Sequence, residues 1–227
     1  MMLAKQMEKV GVLTALVKAR LAALPGCHDW DHTLRVVHNA RHLARAVGAD
    51  ALVVECGALL HDIGRAEELT AAGKSKTCHA ALGAEMAPAI LVASGFADPE
   101  FVTRVVECVR AHRYRRREGA PPESLEAKVV YDADKLDSIG MVGLGRAFHF
   151  AGRIGARLHN TEEEATAAKS YSREDTAYRE FLVKLRHVPE RMLTPEGRRL
   201  AEVRHQRMLR FFTEFAEECA GPENGNS

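Results

Sequence analysis

ALVVECGALLHDIGR, residues 51–65, is the stretch on which the reading of this chain turns. Asp50 is placed to cap a helix over the apolar run, and Gly64 to stop it. His61 and Asp62 fall at its end. Neighbours on a helix point about 100° apart, so two adjacent side chains share one ion only beside a last turn. Gly64 puts them there. A carboxylate that follows an apolar run is costly to bury alone, and a metal ion or an arginine partner removes that cost.

Working outward, residues of metal-ligand type lie on both sides: His32 upstream, His79 and His112 downstream, and the acidic segment Asp132-Ala133-Asp134-Lys135-Leu136-Asp137. His32 shares a helical face with Arg35, Val36 and Asn39 by i, i+3, i+4, i+7 spacing. Imidazoles and carboxylates on several helices suit a divalent metal of intermediate hardness, which can generate hydroxide near neutral pH and polarise a phosphoryl oxygen. The order His, His-Asp, Asp points to a metal-dependent hydrolase. Asp132 and Asp134 lie about 200° apart on a helix, and periodicity does not choose between them.

The chain has 227 residues, 46% of them apolar and 28% charged, with a formal charge of +1. That balance gives no global pull towards membrane or nucleic acid, and no stable nucleic-acid partner is expected. Five cysteines, none paired as C-x-x-C, suggest reduced thiols and a cytoplasmic protein. No stretch is apolar enough to span a bilayer. Oligomeric state is unmarked.

The pattern is helical nearly throughout, without alternating β-branched runs. Helices are expected over 2–24, from Asp29 or Asp31 to about Ala46, over the quoted run, from about Cys78 to Ser94 with Pro88 inside, from Pro99 to near His112, from Ser124 to Asp137, and from Thr194 to about Cys219. Loops are expected from Glu67 to Lys76 and from Arg115 to Glu123, and a disordered insert over 152–172. The expected architecture is all-α, a single helical domain over 1–220. Its metal core spans about 28–137, its C-terminal helices about 171–219, and a disordered tail 221–227.

The chain resembles the HD-domain metal-dependent phosphohydrolase superfamily in His32, His61-Asp62 and Ala133-Asp134-Lys135-Leu136. It is most similar to a bacterial branch of nucleotide-hydrolysing or uncharacterised members, through HDWDHTLRV at 28–36, LEAKVVYDADKLDSIG at 125–140 and YREFLVKL at 178–185. The resemblance implies a helical bundle with the metal between helices, and His32, His61, Asp62 and Asp134 as its ligands. The preference for Asp134 over Asp132 comes from the family. Some branches hold a second ion through two further histidines, which His79 and His112 match; Asp62 then bridges. Members that cleave cyclic dinucleotides carry His-His and Gly-Tyr-Pro, whereas this chain has His112-Arg113 and no Gly-Tyr-Pro. Single-metal nucleotide hydrolases of the family tend to carry a Glu where this chain has Arg65, which instead resembles a phosphate-contacting basic residue.

The resulting expectation is a nucleotide substrate, with nucleoside triphosphate pyrophosphohydrolysis first and monophosphate or phosphodiester hydrolysis as alternatives. Manganese, iron, cobalt or nickel suits such a site, as one ion or two. Arg35, Arg65, Arg113 and Lys135 are candidates for phosphate, with the basic run continuing to Arg117. Glu67 or Asp137 is the candidate for proton transfer, and Trp30 and Tyr114 for stacking on a base. A di-iron oxygenase and a non-enzymatic nucleotide sensor share the same ligand types and stay open as other classes.

Overall fold

The computed structural model describes residues 2–22, 29–70, 78–113 and 121–221. Eleven α-helices and two single 3-10 turns make up the regular structure among them, with no strand. The helices are α1 (Met2–Leu21), α2 (Trp30–Val47), α3 (Ala51–Leu60), α4 (Arg65–Thr70), α5 (His79–Ala93), α6 (Pro99–Ala111), α7 (Leu125–Asp137), α8 (Gly140–Arg153), α9 (Glu162–Ala167), α10 (Ala177–Val183) and α11 (Pro195–Ala220). None is long and apolar enough to cross a membrane.

The chain forms two compact units, Met1–Asp134 with Leu193–Gly197, and Lys135–Met192 with Arg198–Ser227. In the first, α3 is the central element and neighbours α1, α2 and α6. Seven of its ten residues are buried, so its apolar run faces protein on nearly every side. Asp50 caps it, accepting from the backbone N–H of Leu52 and Val53. Asp29 caps α2 by accepting from His32 N at 3.0 Å, and Gly48 closes it. The buried face of α2 carries His32, Val36, Val37, Ala40 and Leu43.

Gly64 lies where α5 packs on the end of α3. A Cβ there would run into the carbonyl oxygen of His79 and come within 2.6 Å of Gly83 N. Only glycine admits this approach, and the approach delivers His79 to the His61-Asp62 turn.

Two expectations change. Glu67 does not begin a loop: residues from Arg65 form the short helix α4, hung from the turn by Glu68 N donating to Gly64 O. The segment 152–172 is ordered. Thr161 and Glu164 close a capping box on α9, Arg157 pairs with Glu164 and Glu174, and Thr176 Oγ1 donates to Asn160 at 2.7 Å. Its polar residues satisfy one another, which hydrophobic patterning does not register. Helix α8 has no clear signature in the sequence; its buried Gly140, Leu144, Ala147 and Ala151 follow helical spacing, diluted by glycines of low helix propensity. The second unit is centred on aromatic contacts of Phe148 with Phe211, Phe212 and Phe215, and of Tyr178 and Phe181 with Phe212. The end of the first helix at Pro25-Gly26, Tyr114, the arginines 115–117, most of the 115–123 loop and the tail beyond Gly221 lie outside the described residues.

Candidate metal centre

Five residues from four separate segments of the first unit meet in its interior. His32 comes from α2, His61 and Asp62 from the turn after α3, His79 from the start of α5 and His112 from the end of α6. None is more than 2% exposed. Asp134, near the end of α7, joins them with a side chain 16% exposed.

Asp62 divides the group in two. Its Oδ2 lies 3.6 Å from both His32 Nε2 and His61 Nε2. Its Oδ1 lies 3.2 Å from His79 Nε2 and 3.6 Å from His112 Nε2. His32 Nε2 and His61 Nε2 are 3.2 Å apart, and so are His79 Nε2 and His112 Nε2. Asp134 Oδ1 stands 3.5 Å from His32 Nε2. Two clusters able to hold a metal result: His32, His61 and Asp134, and Asp62, His79 and His112.

The tautomers fit that use. His61 Nδ1 donates to Ala58 O at 2.7 Å, His112 Nδ1 to Val109 O at 2.6 Å and His79 Nδ1 to Glu68 Oε2 at 2.9 Å. A carbonyl or carboxylate only accepts, so each of these rings carries its proton on Nδ1 and turns an Nε2 lone pair inward. Facing lone pairs repel one another and attract a cation, so the donor set fits a divalent ion. Burial pushes His61 down to about 4 against the pull of Asp62, and pushes His79 down likewise. Both imidazoles are therefore neutral, the form that binds metal.

The acidic segment separates into two roles. Asp132 is fully buried and points away to Leu193 and Thr194, accepting from their backbone N–H groups at 2.9 and 2.8 Å and from Thr194 Oγ1 at 2.7 Å. Asp134 faces the histidines. Asp137 lies in the second unit and pairs with Arg146 at 2.6 Å.

Among the basic candidates, Arg65 Nε donates to Asp62 Oδ1 at 3.0 Å and its Nη1 to Glu68 at 3.2 Å. Arg113 Nη1 donates to Glu68 Oε1 at 2.8 Å. Arg35 and Lys135 are half-buried, one turn beyond His32 and directly after Asp134. Trp30 lies under Lys18 Nζ, 5.8 Å from its ring centroid.

Glu67, chosen from the sequence for proton transfer, is corrected in position. It pairs with Arg20 of α1, and Glu68 faces the centre instead. The two differ by about 100° on a helix, and once α4 is recognised its phase decides which one points inward.

The HD domain family matches residues 29–139. Over 217 residues the chain is 30% identical to the uncharacterised protein YpgQ of Bacillus subtilis, covering 96% of this chain and 97% of that one. The crystal structure of YpgQ in complex with ADP superposes with a TM-score of 0.72 at 29% identity, over 96% of this chain and 98% of that chain. A predicted HD superfamily hydrolase from an uncultured Thermotogales bacterium gives a TM-score of 0.65 at 28% identity, over 91% and 90%. Ribonuclease Y of Thermoanaerobacter pseudethanolicus is 34% identical over 118 residues, 48% of this chain and 22% of that protein.

Proposed function

The chain belongs to the HD-domain superfamily of metal-dependent phosphohydrolases, and we propose that it cleaves nucleoside triphosphates to monophosphate and pyrophosphate at the centre built on Asp62. The observation that carries this reading is the placement of the two Asp62 oxygens, one towards each buried pair of imidazole nitrogens. In this reading His32, His61, Asp62 and Asp134 hold one ion, and Asp62, His79 and His112 a second. The donors are nitrogen and carboxylate oxygen, which suits manganese, iron, cobalt or nickel. Divalent cations bound there supply a water acidified towards neutral pH and Lewis acidity for a phosphoryl oxygen.

The remaining work falls to the protein's cations. Phosphoryl transfer depends chiefly on positioning and on neutralising charge. Arg65 and Arg113 stand beside the Asp62 and His79 cluster, and Arg35 and Lys135 follow His32 and Asp134 in sequence. All four are assigned to phosphate. Pyrophosphate is a stable anion and leaves without a dedicated proton donor, provided that guanidinium groups meet its charge. This accounts for a site whose inward carboxylate, Glu68, is already occupied by donors. The ADP bound by YpgQ supports a nucleotide as the substrate.

The test is product identity. Metal-stripped protein reloaded with Mn²⁺ is incubated with nucleoside triphosphates, monophosphates and an RNA oligonucleotide, and products are read by ³¹P NMR. Pyrophosphate and monophosphate in equal amounts from triphosphates are expected. Orthophosphate from monophosphates alone, or shortening of the RNA alone, would replace the assignment with a phosphatase or a nuclease.

A further inference from the structure

We propose that Glu68 is a positioning residue that fixes His79 for its cation and holds Arg65 and Arg113 beside it. The proposal rests on the two-cation reading given above.

Four donors converge on this one carboxylate. Oε1 accepts from His79 N at 3.2 Å and from Arg113 Nη1 at 2.8 Å. Oε2 accepts from His79 Nδ1 at 2.9 Å and from Arg65 Nη1 at 3.2 Å. With each oxygen engaged twice, Glu68 is poorly suited to carry or take a proton. What it does is mechanical and electrostatic.

The mechanical part concerns the His79 ring. Its backbone N–H and its Nδ1 are both tied to Glu68, so main chain and ring plane are set together. Arg113 Nη1 lies 3.2 Å from the same Nδ1, but its proton goes to Glu68, which leaves the imidazole as a donor there. The proton is thereby kept off Nε2, the atom 3.2 Å from Asp62 Oδ1. Arg65 closes a ring of contacts: Asp62 to Arg65 to Glu68 to His79 and back to Asp62. Partners of this kind usually matter to metal affinity nearly as much as the ligands themselves.

The electrostatic part concerns the arginines. Arg65 is shared between Asp62 and Glu68, and Arg113 rests on Glu68, so both guanidinium groups are held beside the His79 cluster. An arriving phosphate finds both cations already gathered, which lowers the ordering cost of binding. Glu67, one residue earlier, pairs with Arg20 of α1 instead.

The experiment is a Mn²⁺ titration of the full chain without nucleotide, with free Mn²⁺ followed by electron paramagnetic resonance. Wild type should take two equivalents. Glu68→Ala should weaken one of them by about 10–100-fold and leave the other in place. Glu68→Gln retains an acceptor for His79 Nδ1 and should restore most of that affinity, while still raising KM for a triphosphate because the arginines lose their shared anion. Two equivalents of wild-type affinity in Glu68→Ala would overturn the assignment of Glu68 alone. A single equivalent in wild type, insensitive to His79→Ala, would overturn the two-cation reading and this proposal with it. If Glu68→Ala does not fold, Glu68→Asp, which shortens the reach to His79, carries the same expectation for the weakened equivalent.

Discussion

Replacing Gly64 by alanine tests how the centre is assembled. The added Cβ would meet the His79 carbonyl oxygen and Gly83 N, the latter at 2.6 Å, whereas ordinary contact begins at 3.4 Å. Both obstacles are backbone, so no side chain can swing aside. Relief requires the start of α5 to move from the turn by close to an ångström. Overpacking of this kind costs about 1–3 kcal/mol. The displacement also carries His79 away from Asp62 Oδ1, now 3.2 Å distant, while His32, His61 and Asp134 are untouched. Gly64→Ala should therefore unfold at lower urea concentration with an unchanged m-value and lose one Mn²⁺ equivalent in a titration, keeping the other. A variant with wild-type stability and both equivalents would refute the argument that this close approach sets the His79 cluster.

Further expectations concern other parts of the molecule. Asp132→Ala strands the buried N–H of Thr194 and the N–H of Leu193, at roughly 1–3 kcal/mol each, so urea unfolding should show a loss of about 2–6 kcal/mol. His61 takes a proton near 6.5 when unfolded and at about 4 when folded, so the unfolded chain binds more protons between those values. The metal-free protein should thus be destabilised as pH falls from about 6.5 to about 4, by up to about 3 kcal/mol, measured by denaturant titration at both ends. Burial pushes the Cys56 thiol up to about 12 and Cys108 higher still, whereas Cys219 is exposed. Cys219 should react at once with a disulfide reagent, and Cys56 and Cys108 only on unfolding.

The sequence was most informative where one residue type has few alternatives. His32, His61, Asp62, His79 and His112 stood out because buried imidazoles and a carboxylate after an apolar run need a compensating partner. Gly64 was legible as a stop signal; its second role, admitting the backbone of α5, depends on a tertiary contact that no local pattern encodes. Asp132 and Asp134 were indistinguishable by periodicity because both flank apolar positions of α7. Tertiary donors at Leu193 and Thr194, some sixty residues along the chain, claim Asp132. Glu67 and Glu68 posed the same difficulty over a six-residue helix, too short to show its phase. The ordered segment 157–176 was hidden for another reason: its order comes from capping and ion pairs among polar residues rather than from an apolar face.

The central claim is that Asp62, facing both histidine pairs, organises metal-dependent hydrolysis of nucleotides. Pyrophosphate release from nucleoside triphosphates by Asp62→Ala, compared with wild type in saturating Mn²⁺ and with folding verified by circular dichroism, tests it most directly. Loss of release to the level of the metal-free protein is the predicted result. Wild-type release by the folded variant would contradict the account.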